Sequence, residues 1–225
     1  MIFRLIFILG IIVFLGGGEA AAQGPYPPPA GQPGTTAMYK DSSDFIAWAV
    51  TCSVSRGWMD IADTALGKVS YGTSSYATGK ADNSVVSLGD GGTAVLTFNG
   101  YLYNGPGPDF AVFENSFSDD FLELAFVEVS SDQINYIRFP AVSLTQDTLQ
   151  TGTFGTLDAT NIHNLAGKYR AGYGTPFDLD DLKDSANINV DSIVSIRIID
   201  VIGSVNPAYA SFDSQGHIVN DPYPT

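Results

Sequence analysis

The chain has 225 residues, a formal net charge of -14, 44% hydrophobic and 15% charged residues, and 24 glycines. That acidity makes nucleic acid and anionic membrane poor partners, and the low charged fraction beside so much apolar sequence excludes a disordered acidic tail. The single cysteine, Cys52, excludes an intrachain disulfide, so the long loops need another tie, either bound calcium or the core itself.

The chain opens with Arg4, an apolar run over 5–15 and Ala20-Ala21-Ala22, the pattern of a secretory signal. The run is shorter than the ~20 residues of a spanning helix, so cleavage after Ala22 is expected, with no membrane insertion afterwards and a secreted or cell-surface location. Cleavage removes Arg4 and Glu19, which cancel, and leaves the charge at -14. Residues 23–36 carry Pro25, Pro27, Pro28, Pro29 and Pro33 among glycines, which predicts an exposed linker. A single domain is expected over 37–225. From Asp44, the residues Phe45, Ile46, Trp48 and Val50 predict a short helix capped by Asp44, stopped at Gly57 and burying Cys52.

Strands are expected at 84–88, 93–99, 109–113, 122–130, 134–139 and 193–201. Turn chemistry at Gly89-Asp90-Gly91-Gly92 and at Ser131-Asp132-Gln133 predicts two hairpins. Thr175-Pro176-Phe177-Asp178 reads as the start of a second helix, with Asp180 and Asp181 near its positive end rather than on a metal. No repeat of roughly 20 to 50 residues is present, which argues against a propeller or solenoid. The sum is an all-β fold, an antiparallel β-sandwich with one or two short helices.

Residues 104–115, Asn-Gly-Pro-Gly-Pro-Asp-Phe-Ala-Val-Phe-Glu-Asn, place Asp109, Glu114 and Asn115 around one short strand on stiff backbone. With Asp200, Asp213 and Asp221 they are candidate calcium ligands, because the ion takes roughly 6 to 8 oxygens. The spacing is not that of an EF-hand loop, and turn-capping is the plainer alternative. Tyr101, Tyr103, Tyr169, Tyr173 and Tyr209 lie in or near Gly- and Asn-rich loops and could stack on a glycan or sit equally well at a core edge; Tyr101, Tyr103 and Tyr173 are the candidate ligand-binding rings. Glu114, Glu123 and Glu128 permit a glycoside hydrolase using paired carboxylates. No Gly-x-Ser-x-Gly elbow occurs, and His163 and His217 read as loop hydrogen-bonders. Strand parity sets Glu128 and Arg197 among apolar residues, which predicts that the two pair.

Several segments in order resemble a family of exported bacterial cell-surface proteins carrying a Gly-Pro-Gly-x-Asp-Phe-x-Val-Phe-Glu-Asn signature. Besides 104–115 they are Ala65-Leu66-Gly67, Val86-Ser87-Leu88-Gly89, residues 121–132, 164–169 and 172–179, and Ile199-Asp200-Val201-Ile202-Gly203-Ser204. The resemblance implies a jelly-roll-like sandwich, with no named enzymatic activity to carry over, on proteins that often bear a C-terminal sorting tail. Similar proteins continue past Asp-Pro-Tyr-Pro into a further strand, so the domain is expected to stop short of its last strand. The functional expectation is a module binding glycan or another surface polymer, calcium-stabilised; the alternatives are a structural or adhesive envelope domain and the hydrolase.

Overall fold

The computed structural model describes residues 23–82 and 84–224; the expected secretory signal lies outside the described residues. Among these, ten strands run in chain order: Met38–Tyr39 (β1), Thr51–Ser55 (β2), Thr93–Leu102 (β3), Phe110–Phe113 (β4), Ala125–Ser130 (β5), Ile137–Arg138 (β6), Val142–Ser143 (β7), Ile162–His163 (β8), Tyr173–Phe177 (β9) and Ile193–Asp200 (β10). They form a five-stranded sheet, β2-β3-β10-β5-β6, a three-stranded sheet, β1-β9-β4, and the pair β7-β8. Every pairing is antiparallel, giving an all-β antiparallel sandwich.

Alternation along the strands builds the core. Val127 and Val129 of β5 and Ile196 of β10 point from the five-stranded sheet toward Phe177 of β9, with Phe139 and Leu179 closing the cluster. Phe110 stacks on Phe177 at 5.3 Å between ring centroids, and Phe139 meets Phe177 edge-on at 5.0 Å. Each such buried side chain contributes about 1.5–3 kcal/mol. A second cluster, with Leu122, Leu124, Ile162, Leu165 and Val219, gathers beside β7-β8.

The opposite parity carries the charge predicted for it. Glu128 faces Arg197 across β5-β10 and Arg138 across β5-β6. Arg197 Nε donates to Glu128 Oε2 at 2.7 Å and Arg138 Nε to Oε1 at 2.9 Å. The guanidiniums also lie over rings, Arg138 at 4.2 Å from Phe126 and Arg197 at 4.0 Å from Tyr136.

The hairpin at 131–133 forms and joins β5 to β6. Gln133 takes a φ of 62°, and the Asp132 carboxylate accepts the amides of Ile134 and Asn135 at 2.8 and 2.7 Å. Those donors hold the Asp132 carboxyl well below the usual range.

Three secondary-structure expectations are corrected. The helix from Asp44 is absent: residues 51–55 are β2, with Cys52 half-buried on the strand, because Thr51, Ser53 and Ser55 alternate with Cys52 and Val54 at a period of two. Residues 84–88 do not form a strand, since Gly57 N–H bonds to Leu88 O at 2.8 Å and Asp90 N–H to Trp58 O at 2.9 Å, so the 57–58 segment takes the pairing expected of a hairpin. The second helix is a 3-10 turn, Leu179–Leu182, capped by Asp178; Thr175 and Pro176 belong to β9.

The start of the Pro/Gly stretch lies against the domain, while residues 31–34 are exposed as expected of a linker. Gly24 N–H donates to Thr160 Oγ1 at 2.8 Å, Tyr26 N–H to Thr160 O at 3.0 Å, and the Tyr26 ring stacks on His163 at 4.9 Å.

One glycine sets a close approach beside the functional site. Gly167 has a φ of 83°, and a Cβ there would overlap the Glu123 carbonyl, where Ala125 and Ala166 exchange backbone bonds at 3.0 and 2.9 Å. Gly167→Ala is expected to cost about 2–4 kcal/mol by denaturant titration, and a variant as stable as the parent would contradict that approach.

Candidate functional site

Five carboxylates from separate segments line one cavity of about 410 Å³: Asp90, Glu114, Glu123, Asp200 and Asp221. Glu114 directly follows β4, Asp200 ends β10, Glu123 stands just before β5, Asp90 sits in the glycine turn before β3, and Asp221 comes from the segment after β10. No Lys, Arg or His is among the lining residues. Asp221 is 4% exposed; its Oδ2 accepts the Leu124 amide at 2.5 Å, while Oδ1 has no protein donor among the described residues. Glu114 Oε2 accepts the Ser116 amide at 2.5 Å, and Asp90 Oδ2 that of Ile61 at 2.7 Å.

Burial and like charge act together here. Desolvation pushes the Glu114 carboxyl up to about 7 against the opposing amides of Ser116 and Asn115, and Glu123 adds repulsion. Asp221 and Asp200 lie well above the usual carboxylate range, first through burial and then through each neighbouring carboxylate. Glu123 reaches solvent, yet partial desolvation raises it too, and burial raises Asp90.

Of the six predicted metal ligands, Glu114, Asn115, Asp200 and Asp221 line this cavity. Asp109 and Asp213 do not. Asp109 accepts the amides of Gly105 and Leu179 at 2.7 and 2.8 Å, tying the Gly/Pro loop to the 3-10 turn. Asp213 accepts those of Ser143, Gln215 and His217 at 3.0, 2.9 and 2.8 Å. Backbone donors thus occupy both oxygens of each. Asp90 and Glu123 were not predicted as ligands; Asp90 read as turn chemistry and Glu123 as one of three scattered glutamates. Glu128 is engaged by two arginines and is remote in role from this cavity. Among the described residues, no three His, Cys, Asp or Glu side chains are gathered closely enough to hold one metal ion.

A second cavity, about 580 Å³, adjoins the first; Tyr76, Val112 and Ile198 line both. It lies along β4, which pairs only with β9, so the three-stranded sheet leaves Leu96 and Phe98 of β3 facing this space. Aromatic rings dominate it: Phe45, Trp48 and Phe113 pack mutually at 5.2 to 5.5 Å. Tyr101 and Tyr103, 66% and 65% exposed, stand at its rim. Tyr173 does not line it; that ring packs on Tyr39 at 5.3 Å and under the Arg170 guanidinium at 4.9 Å. Tyr169 is a core residue bonded to Thr36 Oγ1 at 2.8 Å.

Neither histidine lines either cavity. Burial lowers the His163 pKa and raises that of the Cys52 thiol, which leaves Cys52 a small apolar residue of β2. No protein-family model matches the chain, and no curated protein and no solved structure matches it either.

Proposed function

We propose that this chain is an exported, non-catalytic β-sandwich module of the cell surface that binds glycan or another surface polymer. The aromatic cavity carries the reading: Trp48, Phe45 and Phe113 offer flat apolar faces, and two exposed tyrosines extend them outward. The signal pattern at 1–22 and the resemblance to exported surface proteins support the location. Glycan-array binding that is lost in Trp48→Ala and Tyr101→Ala tests it. An array without a single binder would favour the structural or adhesive alternative.

Calcium enters the proposal as a counter-charge for the acidic cavity. Glu114, Asn115, Asp200 and Asp221 are hard oxygen donors, and the free Oδ1 of Asp221 suits such a cation. Because no three carboxylates converge, binding would draw the loops after β4 and after β10 toward each other. Calcium titrated into chelator-treated protein is expected to raise the melting temperature by several degrees; an unchanged melt would count against the ion.

A second reading rests on Glu114 alone. A carboxyl held at about 7 beside another carboxylate suits a general acid, and Glu123 would be its partner in a glycoside hydrolase. Turnover of a glycan by the parent protein, lost in a folded Glu114→Gln variant, would replace the non-catalytic reading.

A further inference from the structure

We propose that the bound polymer carries protonated amines, its amino sugars placing an ammonium in the acidic cavity while a neighbouring ring lies against the aromatic wall. The inference rests on the polymer-binding reading and names its ligand class. Four observations carry it. The acidic cavity is lined by five carboxylates and by no basic side chain, so only bound protons or a cation from outside can offset their charge. Asp221 is almost wholly buried, its Oδ2 takes the Leu124 amide, and its other oxygen, with no donor among the described residues, is not sealed off from solvent. The carboxylates stand around a volume instead of converging on a point, so an ammonium with three N–H donors can be met there without the loop movement that calcium would require. The aromatic cavity opens from the same walls, and the two volumes, about 410 and 580 Å³, both fall in the ~300–1,000 Å³ range of small-molecule sites.

A basic peptide would satisfy the same charge. The amino sugar is favoured because the adjoining wall is aromatic, and ring faces stack on flat sugar faces while Asn115 and Thr153 stand beside the carboxylates to meet hydroxyls. The chain's net charge of -14 draws any polycation toward it, so the distinction lies in the cavities and not in the long-range field.

The test is calorimetric titration of the full folded chain in chelator at about pH 6, where such an amine is protonated. The probes are a β-1,4-linked glucosamine tetramer, its fully N-acetylated counterpart and tetralysine. The expected result is binding of the amine form at least ~10-fold tighter than of the acetylated form or of tetralysine. Asp221→Asn or Asp200→Asn should abolish that preference, and Trp48→Ala should weaken both sugars alike. If Asp221→Asn fails to fold, Glu123→Gln, on a side chain that reaches solvent, makes the same comparison. Equal affinity for the two sugars, with both lost in Trp48→Ala, overturns this inference and leaves the polymer-binding reading intact. Neither sugar binding overturns this inference, the polymer-binding reading falling only if the glycan array is blank as well, and tetralysine binding as tightly overturns it in favour of a basic peptide.

Discussion

Glu128→Gln is expected to lower folding stability by about 2–3 kcal/mol, seen as a fall in the denaturant midpoint with the slope unchanged. The Glu128 side chain is 7% exposed and bridges two guanidiniums that are 33% and 42% exposed. Removing its charge leaves Arg197 and Arg138 flanking a neutral amide, with their repulsion uncompensated. The cost falls below the ~3–5 kcal/mol of a fully buried pair because both arginines keep contact with water, and water screens them. Arg138→Met should cost less, about 1 kcal/mol, because Arg197 still satisfies one carboxylate oxygen and Arg138 is the more exposed partner. A Glu128→Gln protein as stable as the parent would mean that the three-residue bridge does not hold strands β10, β5 and β6 in register.

Stability in the presence of chelator is expected to decline as the pH rises from about 5 to 8. A carboxyl whose pKa is raised by folding binds its proton more tightly in the folded chain than in the unfolded one. Its stabilising effect is therefore complete in acid and disappears as the pH climbs through the folded value. For Glu114, moved from 4.5 to about 7, that window is about 4.5 to 7, and the loss is about 3 kcal/mol. Asp200 and Asp221 are shifted in the same direction and steepen the decline. Asp200→Asn should flatten it by removing one of the mutually repelling charges. His163 acts oppositely: its lowered pKa disfavours the folded state in acid and opposes the trend near 6.5 and below. Lys168, lowered to about 8 by burial, adds stability only as the pH rises from about 8 toward 10.5, outside the window. Melting temperatures that rise steadily from pH 5 to 8 in chelator would contradict this account of the acidic cavity.

Period-two alternation made most of the sandwich legible in the sequence. Residues 93–99, 109–113 and 193–201 became β3, β4 and β10 with shifted ends, and the parity that set Glu128 beside Arg197 was visible in the bare sequence. Residues 44–57 mislead because Phe45, Ile46, Trp48 and Val50 fall at a mixed helical spacing behind the cap residue Asp44, whereas Phe45 and Trp48 pack on each other and on Phe113 beside a cavity. Arg138 escaped notice as a third partner because β6 is only two residues long. Within the site, Glu114, Asn115 and Asp200 were legible because each stands at the end of an apolar strand, where the chain leaves the core at one common end of the sheets. Asp109 and Asp213 carried the same chemistry but fell beside free backbone amides, and nothing in a residue's type distinguishes an oxygen that caps a turn from one that faces a cavity. Asp90 and Glu123 depended on long-range convergence that local pattern does not encode.

The contacts of the first described residues bear on the end that signal removal would create. Cleavage after Ala22 would leave Gln23 as the first residue, and the bonds of Gly24 and Tyr26 to Thr160, with the ring stack on His163, pin that new end to the domain. A terminus tied down in this way is expected to resist fraying and trimming by exopeptidases.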